Sequence, residues 1–161
     1  MYLIFLFLFV FSFFLDIITK TFATQINGSI AVIDNFFALT YVENKCAAWG
    51  LGSGHQWFFI LVGLIFAVVL VGCILHLNLK YKSLFYSISF LLAGTLGNCM
   101  DRIFNGYVID FLDFTIFGYN FPVFNIADIY IVCSTFVILI NILLIKEEDV
   151  FVKRKIFVKN D

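Results

Sequence analysis

The chain has 161 residues, 63% of them hydrophobic and 13% charged, with 23 phenylalanines and a mean hydropathy of +1.04. So few charged side chains cannot cover that much apolar surface in water, which excludes a soluble globular domain and makes lipid the solvent for most of the molecule. A net charge of −1 without a basic run gives no footing for nucleic acid, and at roughly 20 apolar residues per crossing the length admits a single domain, 1–161, with about four spans.

Residues Met1 to about Phe22 make the first span, beginning with fifteen uncharged residues and carrying Asp16 and Lys20 near its end. A cleaved secretory signal would show a basic stretch before the apolar run and a small-residue site after it; neither pattern stands out, so an uncleaved span is expected. Asp16 and Lys20 are four apart on one helical face, acid before base, the order that an i,i+4 ion pair favours. Two readings stand: a self-neutralised interface anchor with the lysine reaching to water, or a pair lining a site.

From Asn27-Gly28 to Gly54 the pattern changes to β-branched and aromatic residues (Ile30, Val32, Ile33, Phe36, Phe37, Leu39, Tyr41, Val42) flanked by Gly, Ser and Asn. This predicts a short extended region of one or two hairpins against the membrane surface. It closes on Asn44-Lys45-Cys46-Ala47-Ala48-Trp49-Gly50, by chemistry alone a turn with an interfacial tryptophan. The second span runs from about Gln56 to Leu77 and the third from about Leu84 to Met100. The polar link Asn78 to Ser83 is so short that these two helices must be antiparallel neighbours. Gly94 and Gly97 allow another backbone or a ligand to approach closely. The fourth span runs from about Ala127 to Ile145, followed by the charged tail 146–161.

Cys46, Cys73, Cys99 and Cys133 are scattered singly, without the C-x-x-C spacing of a redox dithiol or a zinc site. Cys73 and Cys133 read as small packing residues; Cys46 and Cys99 fall on the same side of the membrane, where a disulfide is conceivable. Orientation follows from Lys80, Lys82, Lys146, Lys153, Arg154, Lys155 and Lys159 on one side against Lys20, Lys45 and Arg102 on the other. The excess places both termini in the cytoplasm. Segments 23–55 and 101–126 are then extracytoplasmic.

That topology brings Asp16, Lys20, Asn44, Asn98, Asp101, Arg102, Asp110, Asn125 and Asp128 to one membrane face. Ionisable groups beside hydrocarbon are costly and point to function. Each also has a plainer reading: Asn125 and Asp128 as a reciprocal helix cap opening the fourth span after Pro122, Asp101 and Arg102 as local partners ending the third, and Asp113 as a residue facing water. His55 and His76 sit at opposite ends of the second span and there is no H-E-x-x-H, which disfavours a metalloprotease. No serine has an evident base and glycine-rich elbow. Carboxylate remains. Two close aspartates share a proton, so Asp110 and Asp128 could serve as base and acid in attacking a peptide carbonyl with water.

Asp16-x-x-x-Lys20, Asn44-x-x-Ala47-Ala48-Trp49-Gly50, Gly97-Asn98-x-x-Asp101-Arg102, Val108-Ile109-Asp110-Phe111 and Phe124-Asn125-x-Ala127-Asp128 have the order and spacing of the lipoprotein signal peptidases, the type II signal peptidases of bacteria. The chain resembles that family from its first span to the start of its fourth. The resemblance implies an all-α membrane protein, four transmembrane helices with a small extracytoplasmic β-rich cradle or lid between helices 1 and 2. It also implies a place in the bacterial cytoplasmic (inner) membrane. It makes Asp110 and Asp128 an aspartyl dyad, with Asn44, Asn98, Asp101, Arg102 and Asn125 lining or holding it and Asp16 and Lys20 supporting its substrate-facing edge. It implies no metal or other cofactor. The substrate would be a diacylglyceryl-modified prolipoprotein, reached through membrane lipid and cut before the lipidated cysteine, and the cyclic peptide globomycin would inhibit. Cys46 departs from the family's usual glycine, in the turn after Asn44. A small four-span proton- or cation-coupled transporter is the alternative, but it would place polar groups near the bilayer midplane and repeat its halves. A non-catalytic assembly factor would tolerate the loss of either aspartate.

Overall fold

The structure, a computed structural model, describes residues 1–45, 56–78 and 80–144. Within them run four helices long and apolar enough to cross a membrane: α1 (Tyr2–Ala23), α2 (Gln56–His76), α3 (Lys82–Phe104) and α4 (Ile126–Leu144). The strands β1 (Ser29–Ile33), β2 (Phe37–Asn44), β3 (Val108–Ile116) and β4 (Tyr119–Asn120) form one antiparallel sheet in the order β1-β2-β3-β4. The turn residues 46–50, Cys46 among them, and the tail 146–161 lie outside the described residues, as does the proposed partner of Cys99. Cys99 itself is a buried free thiol.

The bundle is built around α3, the least apolar of the four spans, which packs against each of the others. Of its spanning window 72% is buried, against 11% for α1, 22% for α2 and 11% for α4. A helix bathed in lipid must be greasy all round, whereas one enclosed by protein can carry Ser, Thr, Asn and charge. Small residues let its neighbours close in. A Cβ on Gly94 would stand 2.5 Å from the Ala127 carbonyl oxygen and 3.0 Å from Ile131, and one on Gly97 would collide with the Asp16 carboxylate. The close approach expected at these two glycines is therefore to α4 and α1. At the other end of the bundle Leu70, Ile74, Leu84, Phe85, Ile88 and Leu92 form the apolar core.

Two boundaries differ from the sequence expectation. The loop expected from Asp101 begins only after Phe104, because Asn105 and Gly106 still donate to the carbonyls of Asp101 (2.8 Å) and Arg102 (3.2 Å). Gly106, at φ 80°, is the residue that can turn the chain out of the helix. Asp101 and Arg102 are thus held on α3. The sheet, too, is larger than a cradle between helices 1 and 2: β3 and β4 come from the connection between α3 and α4. The aspartates of Val-Ile-Asp-Phe-Leu-Asp-Phe-Thr-Ile disguise a segment otherwise rich in strand-forming residues. Its hairpin turns at Phe117 and Gly118, both with positive φ (50° and 78°), the geometry of a two-residue turn.

β2 carries one extra residue between Leu39 and Val42, where the register against β3 shifts. Without it Asp110 would pair with Tyr41, and Asn44 would point to the opposite face. With it Asp110 pairs with Val42, and Asn44 comes to the aspartate's side.

The packing of α3 predicts that Gly94→Ala forces α4 outward and lowers the thermal-unfolding midpoint in detergent micelles, a loss of about 1–3 kcal/mol typical of overpacking. Gly72→Ala, where an added Cβ meets nothing within 4 Å, should leave the midpoint unchanged or slightly raised.

Candidate active site

The sheet-facing ends of α1 and α3 and the start of α4 converge beside β3, and every polar residue expected at one membrane face is found there. Asp110, on β3, is 1% exposed. Its two oxygens accept from the amides of Asn44 (2.8 Å) and Asn125 (2.7 Å). Asp128, half-buried in the first turn of α4, accepts from the Asn98 amide at 2.8 Å and from the backbone N–H of Asn125 at 3.2 Å. Asn125 is wholly buried and serves both carboxylates at once. Its side-chain oxygen also accepts the N–H of Asp128 (2.9 Å), so the cap expected of this pair is present and reciprocal. The capping and dyad readings of Asp128 are compatible: one oxygen holds the helix start, the other faces Asn98.

Beneath them lies a buried ion cluster. Lys20 is 2% exposed, and its ammonium meets Asp16 at 2.7 Å, Asp101 at 2.9 Å and the Asn98 side-chain oxygen at 3.0 Å. This overturns the snorkelling anchor, because the lysine points inward and not to water. Asp16 also accepts the N–H of Ala127 (3.0 Å), one of the N-terminal donors of α4 that no intrahelical carbonyl can meet. Asp101 accepts the N–H of Ile109 (3.1 Å). Arg102 donates to the Asn98 carbonyl (3.2 Å) and sits over the Phe59 ring of α2, 5.4 Å from its centroid. Asp113 is no part of the site; it is half-buried on β3 and accepts from the Thr40 hydroxyl at 2.9 Å.

Burial pushes the Asp110 carboxyl up to about 6, with the nearby charge of Asp128 adding to the effect; the hydrogen bonds from Asn44 and Asn125 and the charge of Lys20 oppose it. Asp110 therefore holds its proton to a higher pH than an ordinary carboxyl does. Asp128 is the more exposed of the two. Among the described residues no three His, Cys, Asp or Glu side chains converge as metal ligands would. What sequence reasoning missed is the layer that aims the named residues: the β2 bulge behind Asn44, the backbone amides of Ile109 and Ala127, and Phe59 under Arg102. The apolar members of that layer carry no signal in a chain made largely of such residues.

A family profile described as signal peptidase (SPase) II matches residues 8–144. The lipoprotein signal peptidase of Staphylococcus haemolyticus (strain JCSC1435) is 41% identical over 134 residues, covering 80% of this chain and 84% of its own. That of Staphylococcus aureus (strain bovine RF122 / ET3-1) is 41% identical over 121 residues, 74% of this chain and 73% of its own. Among solved structures, a bacterial membrane enzyme determined by the in meso method at 2.3 Å resolution superposes with a TM-score of 0.79 at 36% identity, covering 87% of each chain. A second such structure, at 1.9 Å, gives 0.76 at 36% identity over 86% of this chain and 92% of its own.

Asn125→Ala removes the donor to Asp110 and the cap of α4 together. The thermal-unfolding midpoint should fall by the equivalent of about 1–2 kcal/mol. The protonated-carboxyl infrared band of Asp110, assigned by its loss in Asp110→Asn, should persist to higher pH, since a donor that favours the ionised form is gone.

Proposed function

The chain belongs to the signal peptidase II family and removes signal peptides from prolipoproteins, and we propose that it does so as an aspartic endopeptidase working through Asp110 and Asp128. The observation that carries this reading is the shared asparagine. Asn125 donates to one carboxylate through its side chain and to the other through its backbone, which keeps two acidic groups together at a protein–membrane boundary. Such groups repel when both are ionised, so a stable pair holds one proton between them.

Asp110 is the buried member with the raised proton affinity, and it is the acid. Asp128 is the more open member and the base. The Asp128 carboxylate takes a proton from water as the oxygen adds to the scissile carbonyl carbon, and Asp110 gives its proton to the carbonyl oxygen. The tetrahedral diol then breaks its carbon–nitrogen bond. Asp128 passes its proton to the leaving nitrogen, Asp110 recovers one from a diol hydroxyl, and the dyad returns to its starting state. Asn44 and Asn98 help fix the carboxylates through hydrogen bonds donated by their side-chain amides. Arg102, held by the Asn98 carbonyl and Phe59, supplies positive charge at the rim of the pair.

The substrate is a diacylglyceryl-modified prolipoprotein, cut before its lipidated cysteine. Two acyl chains and an apolar signal helix confine it to the bilayer, so it reaches the dyad between helices. The four-stranded sheet covers the site as a cradle at the extracytoplasmic surface of the bacterial inner membrane, with both termini in the cytoplasm. Globomycin blocks the enzyme by occupying the dyad. No observation favours a transporter; the polar groups gather at one end of the bundle and not across its middle.

Asp110→Asn and Asp128→Asn should each abolish cleavage of a diacylated prolipoprotein in a gel-shift assay, with both proteins still inserted and folded; full activity in either would refute the dyad. For the parent enzyme kcat/KM should fall about tenfold per pH unit above about 6, as free Asp110 loses its proton. In the profile of kcat the same limb should lie at higher pH, because bound substrate dehydrates the carboxyl further.

A further inference from the structure

Lys20 has a place in this arrangement that charge balance alone does not require. The Lys20 ammonium has three polar partners: the Asp16 and Asp101 carboxylates, ion-paired at 2.7 and 2.9 Å, and the Asn98 amide oxygen, which accepts from it at 3.0 Å. With those three contacts made and 2% of the residue exposed, the ammonium is enclosed away from water and from any peptide at the site. It is therefore neither a base nor a substrate contact.

Each of the three partners leads by one further hydrogen bond to a dyad carboxylate or to the residue before one. Asp16 holds the N–H of Ala127, the residue before Asp128. Asn98 holds the Asp128 carboxylate itself. Asp101 holds the N–H of Ile109, the residue before Asp110. Asp110 sits on a strand and Asp128 on a helix, joined through a two-strand turn and a loop, so local structure alone does not fix their separation. Beside Asn125, which bonds to both carboxylates directly, the ammonium is a second point at which paths to both meet.

We propose that Lys20 is the positioning residue of the dyad, a three-way tie from α1 that sets where the Asp110 strand stands relative to the Asp128 carboxylate. The inference rests on the dyad reading and says how that dyad is held. The competing account is charge neutralisation only: two buried carboxylates need a cation, and Lys20 supplies one. The two accounts separate if the charges are removed together.

The triple variant Lys20→Met, Asp16→Asn, Asp101→Asn does this. It leaves no buried charge unpaired and keeps amide oxygens for the N–H groups of Ala127 and Ile109, but it cuts the tie. With the purified full-length protein and a diacylated prolipoprotein, we expect a thermal-unfolding midpoint close to the parent's. We also expect kcat lower by about 100-fold or more, as misplacement of reacting groups by about 1 Å produces, and KM within about threefold. A triple variant with kcat within threefold of the parent, or with its loss confined to KM, overturns the proposal. If the triple variant does not fold, Asp101→Asn decides: it keeps the acceptor for Ile109 and loosens only the lysine's hold. It should lower kcat about tenfold at unchanged KM, and parental kcat would overturn the proposal. Asp110→Asn and Asp128→Asn run alongside. Cleavage by either would sink the dyad itself, whereas two inactive dyad variants beside a fully active triple or Asp101→Asn variant would sink only the role of Lys20.

Discussion

A carboxylate enclosed where an apolar helix bundle meets a small sheet is tolerable only if its oxygens find donors, and this requirement organises the molecule. Asp110 and Asp128 each accept on both oxygens. Asp16 accepts the Ala127 N–H on one oxygen and pairs with the Lys20 ammonium through the other, and Lys20 in turn meets Asp101 and the Asn98 amide oxygen. With water scarce, those donors must come from the chain itself. Their supply explains why α1, α3, α4 and the sheet share one corner. An orphaned charge here would cost several kcal/mol, of the order of a domain's whole stability.

The need for donors explains α3. A span whose neighbours are other helices can carry Ser87, Ser89, Thr95 and Asn98 at low exposure, and its glycines bring the α4 backbone and the Asp16 carboxylate into contact. The other spans spend their outward faces on lipid, with Leu3, Phe7, Trp57, Val68 and Leu143 all well exposed. Composition and architecture are two expressions of one constraint: polarity concentrates where protein, not lipid, is the surrounding medium.

The sheet contributes an asymmetry. Asp110 enters from a strand and is almost sealed, while Asp128 enters at a helix start and stays partly open. Burial raises the proton affinity of Asp110 while Asp128 is less enclosed, an asymmetry that suits the acid and base roles proposed for them. The extra residue in β2 makes this workable, because it turns the Asn44 amide onto the face where Asp110 needs a donor.

Much was legible in the residues. Apolar runs marked the four spans to within a few residues, since a helix in lipid has little choice but to be apolar. The polar residues stood out against that background, and the structure gathers them at one end of the bundle. The motif spacings named the family. What the chain order could not show is direction and partnership. Whether Lys20 reached for water or turned inward depended on Asp101 and Asn98, residues some eighty positions away that lie beside it only after α3 packs on α1. That β3 belongs to the same sheet as the first hairpin, and that one bulged residue decides which face Asn44 shares, are properties of strand pairing across the whole chain. Local sequence sets what each segment can be; the donors that make a buried charge bearable are assembled only when distant segments meet.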